Sequence, residues 1–181
     1  MTRRDLGSRF LMAAGMAAAA MRPEGAAAQA SGPLVPDVPL QPPRAEFVWE
    51  AIVDIAPTIM MGEGPTGERR MVPITGGSFA GPRLRGKVLA GGADRQLIRK
   101  DGVRRLDALY EMQTDDGAVI TVRNQVVVAP VAGAPDYRFS TLDITAPEGP
   151  HGWLNRLAFV GTLTSLRPAR ESVLVRVFSL G

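Results

Sequence analysis

The chain has 181 residues, of which 45% are hydrophobic, and a formal net charge of +3 at pH 7. It contains no cysteine and a single histidine. These counts exclude a disulfide framework, a thiolate metal site and a multi-histidine metal site. A metal would have to be bound mostly by carboxylates, and no motif indicates another cofactor, so we expect neither.

The first 30 residues have the order of a bacterial export signal. Arg3 and Arg4 are adjacent, an Ala/Met-rich apolar run covers residues 10–21, and Ala-Gln-Ala stands at residues 28–30. This order predicts a twin-arginine signal that is cleaved near Ser31 and delivers the remainder to the periplasm. The alternatives are an Ala-rich arm and a retained anchor. The apolar run is about a dozen residues long, however, whereas a membrane-spanning helix needs roughly 20.

Cleavage would remove four arginines and two acids, and the net charge would fall to about +1. The remaining cationic clusters lie beside acids, as in Arg104-Arg105-Leu106-Asp107. A nucleic-acid partner is therefore not predicted, because such binding needs a concentrated basic face. We also expect no membrane attachment after cleavage.

Residues 31–44 contain five prolines and no apolar periodicity. Proline fixes the backbone and lacks a hydrogen-bond donor, so this segment is predicted to be an extended tether. The folded domain is expected to cover residues 45–181, which is long enough to bury a core without cross-links.

Beyond the tether, short runs rich in valine and isoleucine alternate with glycine-containing turns. The predicted strands are residues 46–55, 69–74, 78–81, 84–90, 95–99, 103–113, 118–128, 137–144, 158–166 and 172–180. The hairpin signals are clearest at Asp101-Gly102 and at residues 115–117. The sequence predicts an all-β antiparallel meander of about ten strands. Closure into a barrel would remove its unpaired edges.

The strands on either side of residues 115–117 carry a possible polar anchor. Successive side chains of a strand point to opposite faces of the sheet. Tyr110 and Asp107 therefore lie on opposite faces of one strand, and Asn124 and Arg123 on opposite faces of the other. Pairing across the turn brings Arg123 or Asn124 close to Asp107. An inward pair of Asp107 and Arg123 could hold a carboxylate, ketone or hydroxyl, whereas an outward pair is a surface salt bridge worth less than about 1 kcal/mol. Both orientations remain open at this stage.

Residues 150–157 are the one helical candidate, near the C-terminal end. Trp153 and Leu157 are four residues apart, as are His151 and Asn155. Because residues at this spacing share a helix face, a single turn could plug the barrel with Trp153 facing inward. Trp153 could serve as core or as a ligand platform.

The order of several separate motifs resembles the microbial family called domain of unknown function 3237. The motifs are Val-Pro-Ile-Thr-Gly-Gly at 72–77, Gly-Gly-Ala-Asp at 91–94, Leu-Asp-Ala at 106–108, Thr-Asp-Asp-Gly-Ala at 114–118, Trp-Leu-Asn-Arg at 153–156 and Phe-Val-Gly at 159–161. The resemblance covers most of the domain. It implies a small antiparallel β-barrel with a central cavity, in a family whose general activity is not established.

One position departs from the family pattern. Arg95 directly follows the Gly-Gly-Ala-Asp motif, where the family usually has an aromatic residue. If this position lines the cavity, the resemblance implies a more polar cavity that would suit an anionic ligand.

The glycines and the single histidine are interpreted structurally. Gly76, Gly77, Gly81 and Gly86 have no phosphate-loop context and are predicted to mark bulges and corners of the barrel. His151 has no nucleophile-elbow serine that would make it part of a triad, so it is predicted to face solvent in a loop.

Two function classes remain from these residues. The first is a binding module that encloses a small, partly apolar molecule and uses polar anchors. The anchors would be drawn from Asp94, Asp107, Arg123, Asn124 and Asn155. A barrel that presents its outer face to a partner, and a homo-oligomer, are further possibilities.

The second class is a cofactor-free isomerase, cyclase or lyase. A desolvated carboxylate, Asp94 or Asp107, would take a proton next to a carbonyl, while Arg123 or Tyr110 would stabilise the developing oxyanion. Asp94 could instead have a purely structural role, since an aspartate after two glycines often caps a turn.

Overall fold

The first strand pairs with both the last strand and the third, and these pairings close an all-β antiparallel barrel. The computed structural model describes residues 34–181 except residue 36. Residues 42–181 group into one compact unit that contains the barrel. The predicted export signal and the first residues of the tether lie outside the described residues.

In the part of the chain that the structure describes, there are ten strands and one 3₁₀ helix, Gly152–Arg156. The strands are β1 (Ala45–Ile55), β2 (Ile59–Gly64), β3 (Gly67–Ala80), β4 (Arg85–Val88), β5 (Ala93–Arg99), β6 (Arg104–Thr114), β7 (Val119–Val131), β8 (Ala134–Thr145), β9 (Phe159–Ser165) and β10 (Ser172–Leu180). No helix in this part of the chain has the length and apolar character needed to cross a membrane.

The ten strands fill eight positions around the barrel, with two extra strands. β4 and β5 share one position, because both pair with β3 and β6 along different lengths. β2 pairs with the first part of β3, on the side where β1 pairs with the second part. The predicted closed antiparallel barrel is confirmed, but the simple ten-strand meander is only partly so. The predicted helix is reduced to the single 3₁₀ turn.

The strand prediction was wrong at two places. β2 was not predicted, and the predicted strands 69–74 and 78–81 are one continuous β3. Gly76 and Gly77 interrupted the apolar pattern, yet in the structure they bend the strand without ending it. At this bend β3 shifts register against β1, between the pairs Asp54↔Gly76 and Ile55↔Ile74.

Both predicted hairpin turns are confirmed. Asp101-Gly102 joins β5 to β6, and residues 115–117 join β6 to β7. Gly102 and Gly117 have φ angles of 83° and 92°, which L side chains rarely adopt. These two turns therefore fix the register of β5, β6 and β7.

The hydrophobic core fills one end of the barrel more fully than the other. Trp49, Met112, Ile120 and Leu154 are buried at the end near the 3₁₀ helix. The other end has a small cluster of Leu106, Val126 and Val128. We call this second end, which includes the Asp101-Gly102 turn, the rim end.

Gly77 allows β1 and β3 to approach closely where β3 bends. Its φ angle is 140°, and a Cβ atom at this position would lie 2.0 Å from the carbonyl oxygen of Ile52 in β1. Because the neighbouring atom is backbone, a side chain cannot be accommodated without moving β1. The predicted role of this glycine as a barrel corner is confirmed.

We expect Gly77→Ala to lower the free energy of unfolding by at least about 2 kcal/mol, since it combines an unfavourable φ with a backbone clash. Gly64→Ala is the matched control, because a Cβ atom there would make only ordinary contacts at 3.6 Å. Urea unfolding followed by circular dichroism measures both variants. Equal stability of the two would contradict the role assigned to Gly77.

Candidate functional site

The barrel encloses a cavity of about 210 Å³ toward its rim end. Valine, isoleucine and leucine make up ten of the 21 residues that line it, including Val53, Val72, Leu106, Val126 and Val175. A dry cavity of about 150 Å³ holds benzene, and typical ligand pockets begin near 300 Å³. The cavity therefore suits a molecule of about one substituted ring.

Three polar side chains from neighbouring strands enter this apolar space. Asp94 lies on β5, Tyr110 on β6 and Asn124 on β7, and all three line the cavity. Ala108 is the Cα partner of both Asp94 and Asn124. Tyr110 is two residues further along the same face of β6. The small side chain of Ala108 leaves space between the three polar groups, which we call the polar trio.

Each member of the polar trio has an oxygen atom that is buried and lacks a hydrogen-bond partner within the described residues. These atoms are Asp94 Oδ1, the Tyr110 hydroxyl and Asn124 Oδ1. Most buried polar atoms in proteins are paired, and an unpaired one costs about 1–3 kcal/mol. Three such atoms around one cavity therefore mark a place where polar groups of another molecule could be bound.

Asp94 is connected to a cation through Gln96. Gln96 Nε2 donates to Asp94 Oδ2 at 2.5 Å, and Arg70 Nε donates to Gln96 Oε1 at 2.9 Å. Burial raises the pKa of Asp94, although the hydrogen bond from Gln96 opposes the rise. Burial also raises the pKa of Tyr110, which keeps its hydroxyl protonated as a donor.

Further arginines line the cavity at the rim end. Arg104 of β6 and Arg138 of β8 both donate to Asp136 Oδ2, at 3.2 and 3.3 Å. Arg167, from the segment between β9 and β10, pairs with Glu171 at 2.7 Å. The entrance to the apolar cavity is therefore polar and cationic.

Asp107 and Arg123 form an ion pair on the outer face of the barrel. Two hydrogen bonds of 2.9 and 2.7 Å join their side chains, which are 38% and 51% exposed. Arg123 holds the pKa of Asp107 below its usual range. The structure thus selects the outward alternative, and neither residue lines the cavity. Arg95 is also exposed on this face, so the expectation that it makes the cavity polar is corrected.

Asn155 and Trp153 lie at the opposite end of the barrel from the rim. Asn155 Oδ1 accepts from the backbone N–H of Ala146 at 2.8 Å, and its Nδ2 donates to the Ala146 carbonyl at 2.9 Å. Trp153 packs against the core, and the guanidinium carbon of Arg83 lies 3.9 Å from its ring centroid. Both residues contact the protein itself, and neither lines the cavity.

The prediction that His151 faces solvent was wrong. His151 is 8% exposed, and its Nε2 lies 3.0 Å from Asp116 Oδ2. The Thr114 hydroxyl donates to the same carboxylate. Because Thr114 and His151 both stabilise its charge, the pKa of Asp116 is lowered. This contact attaches the segment before the 3₁₀ helix to the β6–β7 turn.

Within residues 34–35 and 37–181, no group of three His, Cys, Asp or Glu side chains is arranged to hold a metal ion. The arrangement around the cavity instead offers hydrogen bonding and proton transfer. Asp94 can accept or release a proton, and Tyr110 can donate a hydrogen bond. The Asn124 amide can donate or accept a hydrogen bond.

Sequence reasoning identified the polar trio but missed the cations near it. Arg70, Arg104, Arg138 and Arg167 were not predicted as site residues, and neither was the neutral Gln96. Gln96 follows from alternation, because it lies two residues after Asp94 on β5. Arg70 could not be found in this way, because its contact with Gln96 depends on the pairing of β3 with β5.

Comparison with known proteins confirms the family resemblance. A model of the family described as "Protein of unknown function (DUF3237)" matches residues 43–180. A UPF0311 protein of Rhodopseudomonas palustris (strain TIE-1) is 43% identical over 81 residues, which are 45% of this chain and 53% of that protein. The match thus spans about half the length of this relative.

A relative with a described activity and a solved structure extend the comparison. A hydroalkoxylation enzyme, phnH, of Penicillium herquei is 32% identical over 125 residues, which are 69% of this chain and 77% of that enzyme. The crystal structure of a conserved protein of unknown function from Rhodopseudomonas palustris has a TM-score of 0.72 and 28% identity. That comparison covers 78% of this chain and 100% of the other.

Asp94 and Asp107 should give opposite pH dependences of stability. Burial raises the pKa of Asp94 in the folded state. The ionised carboxylate therefore lowers the free energy of unfolding, and this effect grows as the pH rises from the pKa of the unfolded chain to that of the folded protein. Asp94→Asn removes that contribution. We therefore expect the variant to gain stability relative to the wild type as pH is raised from about 4.

The pKa of Asp107 is lowered, so its ion pair contributes stability that is lost as pH falls through the folded pKa. Asp107→Asn should lose less than about 1 kcal/mol near neutral pH and nothing in acid. Urea unfolding of both variants at a series of pH values from 3 to 7 measures the two slopes. If the stability difference between variant and wild type changed with pH in the same direction for both variants, the inward position of Asp94 and the outward position of Asp107 would be contradicted.

Proposed function

We propose that this chain, which belongs to the family of proteins of unknown function DUF3237, binds a small, partly apolar molecule inside its barrel. The single observation that supports this proposal is the polar trio, whose three unpaired buried oxygens face one apolar cavity. A ligand hydroxyl could donate to Asp94 Oδ1 or Asn124 Oδ1, and a ligand hydroxyl or carbonyl oxygen could accept from the Tyr110 hydroxyl. The apolar part of the ligand would contact the valine-rich wall. Among the described residues, four other buried side-chain atoms lack a partner, but none of them belongs to a residue that lines the cavity.

The position of Ala108 defines how such a molecule would be held. Asp94 and Asn124 are both Cα partners of Ala108, so their Cα atoms are roughly 10 Å apart across three strands. A ring placed over Ala108 would lie between the two side chains and next to the Tyr110 hydroxyl. The ligand therefore needs at least one oxygen on an otherwise apolar ring-sized body.

A second candidate function is acid–base catalysis without a cofactor, in an isomerase, cyclase or lyase. Two observations favour it: burial raises the pKa of Asp94, and a relative is a hydroalkoxylation enzyme. In such an addition, the protonated Asp94 carboxyl would give its proton to one alkene carbon as the oxygen of the substrate hydroxyl bonds to the other. The resulting carboxylate would then take the hydroxyl proton, which restores the acid. Tyr110 would donate a hydrogen bond to charge that develops during the reaction.

Tyr110→Phe separates stability from binding. The hydroxyl has no partner within the described residues, so its removal should leave the free energy of unfolding unchanged or raise it. The same variant should bind one-ring phenols and ketones about five- to tenfold more weakly, because one neutral hydrogen bond is lost. Calorimetric titration and urea unfolding measure the two effects.

Asp107→Asn is the control for that binding experiment, since it removes a carboxylate from the outer face and should bind like the wild type. If Tyr110→Phe destabilised the protein and left affinity intact, the hydroxyl would serve packing, and the binding proposal would fail.

Asp94→Asn tests the catalytic candidate. With 2-allylphenol, a one-ring alkenol, the wild type should form the cyclic ether, and the variant should bind the substrate with similar affinity. We expect its turnover to fall by roughly a hundredfold or more, as is usual when a general acid or base is removed. Chromatography of the product measures turnover. Turnover by Asp94→Asn at the wild-type rate, or none by the wild type on a panel of such alkenols, would exclude this candidate and leave the binding proposal standing.

A further inference from the structure

Arginine dominates the charged side chains that line the cavity. Four arginines line it, and Asp94 is the one acid among the lining residues in the part of the chain that the structure describes. The arginines come from separate elements: Arg70 from β3, Arg104 from β6, Arg138 from β8 and Arg167 from the segment after β9. Cations from four places in the chain thus converge on one opening.

The carboxylates near these arginines do not balance their charge. Arg104 and Arg138 share the single carboxylate of Asp136, which leaves one positive charge in excess. The pair of Arg167 with Glu171 is neutral.

Arg70 makes no ion pair with a carboxylate of the described residues. Its Nε donates to the neutral Gln96 side chain. Arg70 is also half-buried, so its attraction to an anion is screened less than that of a fully exposed arginine. Arg70 therefore adds a second positive charge, which forms no ion pair among the described residues and is offset only in part by Asp94, whose burial disfavours its ionised form.

Gln96 orients Arg70 relative to the polar trio. It accepts from Arg70 Nε and donates to Asp94 Oδ2, so its two side-chain contacts fix its own amide orientation. Because Nε is already used, the terminal nitrogens of Arg70 remain to bind a ligand. A planar guanidinium that is held in place suits a carboxylate better than a flexible ammonium group would.

We infer that the molecule bound in the barrel carries a carboxylate, which Arg70 binds together with Arg104 and Arg138 at the rim end. This inference rests on the proposed function and specifies its ligand class, a one-ring organic acid. Gln96 lies two residues from Asp94 along β5, and Arg104 lies four residues from Ala108 along β6. At about 3.4 Å per residue, the cationic groups start roughly 7 to 14 Å from the polar trio. The ligand thus has a hydroxyl or carbonyl at one end and a carboxylate at the other.

A matched pair of probes tests the inference. 3-(4-Hydroxyphenyl)propionate and its amide have the same ring and hydroxyl and differ in charge. We expect the acid to bind the full-length wild type at least tenfold more tightly than the amide, in line with a charge-assisted hydrogen bond. In Arg70→Gln, the affinity of the acid should fall by about tenfold while that of the amide stays the same.

Arg176→Gln is the control variant, because it removes a cation from the outer face of β10, where Arg176 pairs with Glu50. It should bind both probes like the wild type. Ala108→Phe fills the cavity and should abolish binding of both probes, which assigns the binding to this site. Circular dichroism confirms that each variant is folded.

The outcomes separate the inference from the proposed function. If the acid and the amide bind the wild type equally, or Arg70→Gln weakens both equally, the carboxylate inference is overturned and the binding function stands. If Ala108→Phe binds both probes normally, or neither probe nor their one-ring analogues bind the wild type, the proposed function fails and the inference fails with it.

Discussion

Closure of the sheet is the constraint on which the rest of this structure depends. β1 pairs with β10 on one side and with β3 on the other, so the ends of the folded segment are fixed against each other. Without these pairings, β1 and β10 would be edge strands with exposed hydrogen-bonding groups. Closure also gives each strand an inner and an outer face, which is why a change of one residue along a strand decides whether a side chain can reach the cavity.

The inner face divides into a stabilising end and a polar end. Near the 3₁₀ helix, large side chains such as Trp49 and Met112 fill the barrel completely. Toward the rim end, smaller residues leave a cavity, and three polar atoms of the residues that line it have no partner among the described residues. Trp49 Nε1, near the other end, also has none, so the cavity is the main difference between the two ends. Cavities and unpaired polar atoms both lower stability, so this end is built less favourably than it could be with apolar residues alone. A binding site needs open space, and the densely packed opposite end stabilises the barrel that carries it.

Alternation along β6 and β7 allowed much of the site to be predicted from the sequence. It placed Tyr110 and Asn124 on one face and Asp107 and Arg123 on the other. Since Tyr110 shares its face with the buried Leu106 and Met112, alternation already favoured an outward position for Asp107. The structure places the Asp107–Arg123 pair on the outer face, as this periodicity indicates.

The remaining parts of the site could not be predicted because they depend on contacts between distant strands. β2 has a glycine- and methionine-containing sequence with little β propensity. Its hydrogen bonds with β3 stabilise it as a strand. Arg70 is separated from Gln96 by 26 residues, so their hydrogen bond follows only from the register of β3 against β5. His151 is separated from Asp116 by 35 residues. Its burial likewise depends on how one end of the barrel closes.

The chain of contacts from Arg70 through Gln96 to Asp94 connects charge at the rim end to protonation at the polar trio. Burial raises the pKa of Asp94, the hydrogen bond from Gln96 opposes this rise, and the charge of Arg70 opposes it by a smaller amount. If a ligand carboxylate neutralises Arg70, as inferred above, that opposition is removed and the pKa of Asp94 rises further. By linkage, binding of an anion would then favour proton uptake at Asp94, and a protonated Asp94 would favour binding of the anion. The same contacts would serve a binding protein by making affinity depend on pH, and an enzyme by preparing Asp94 to donate a proton.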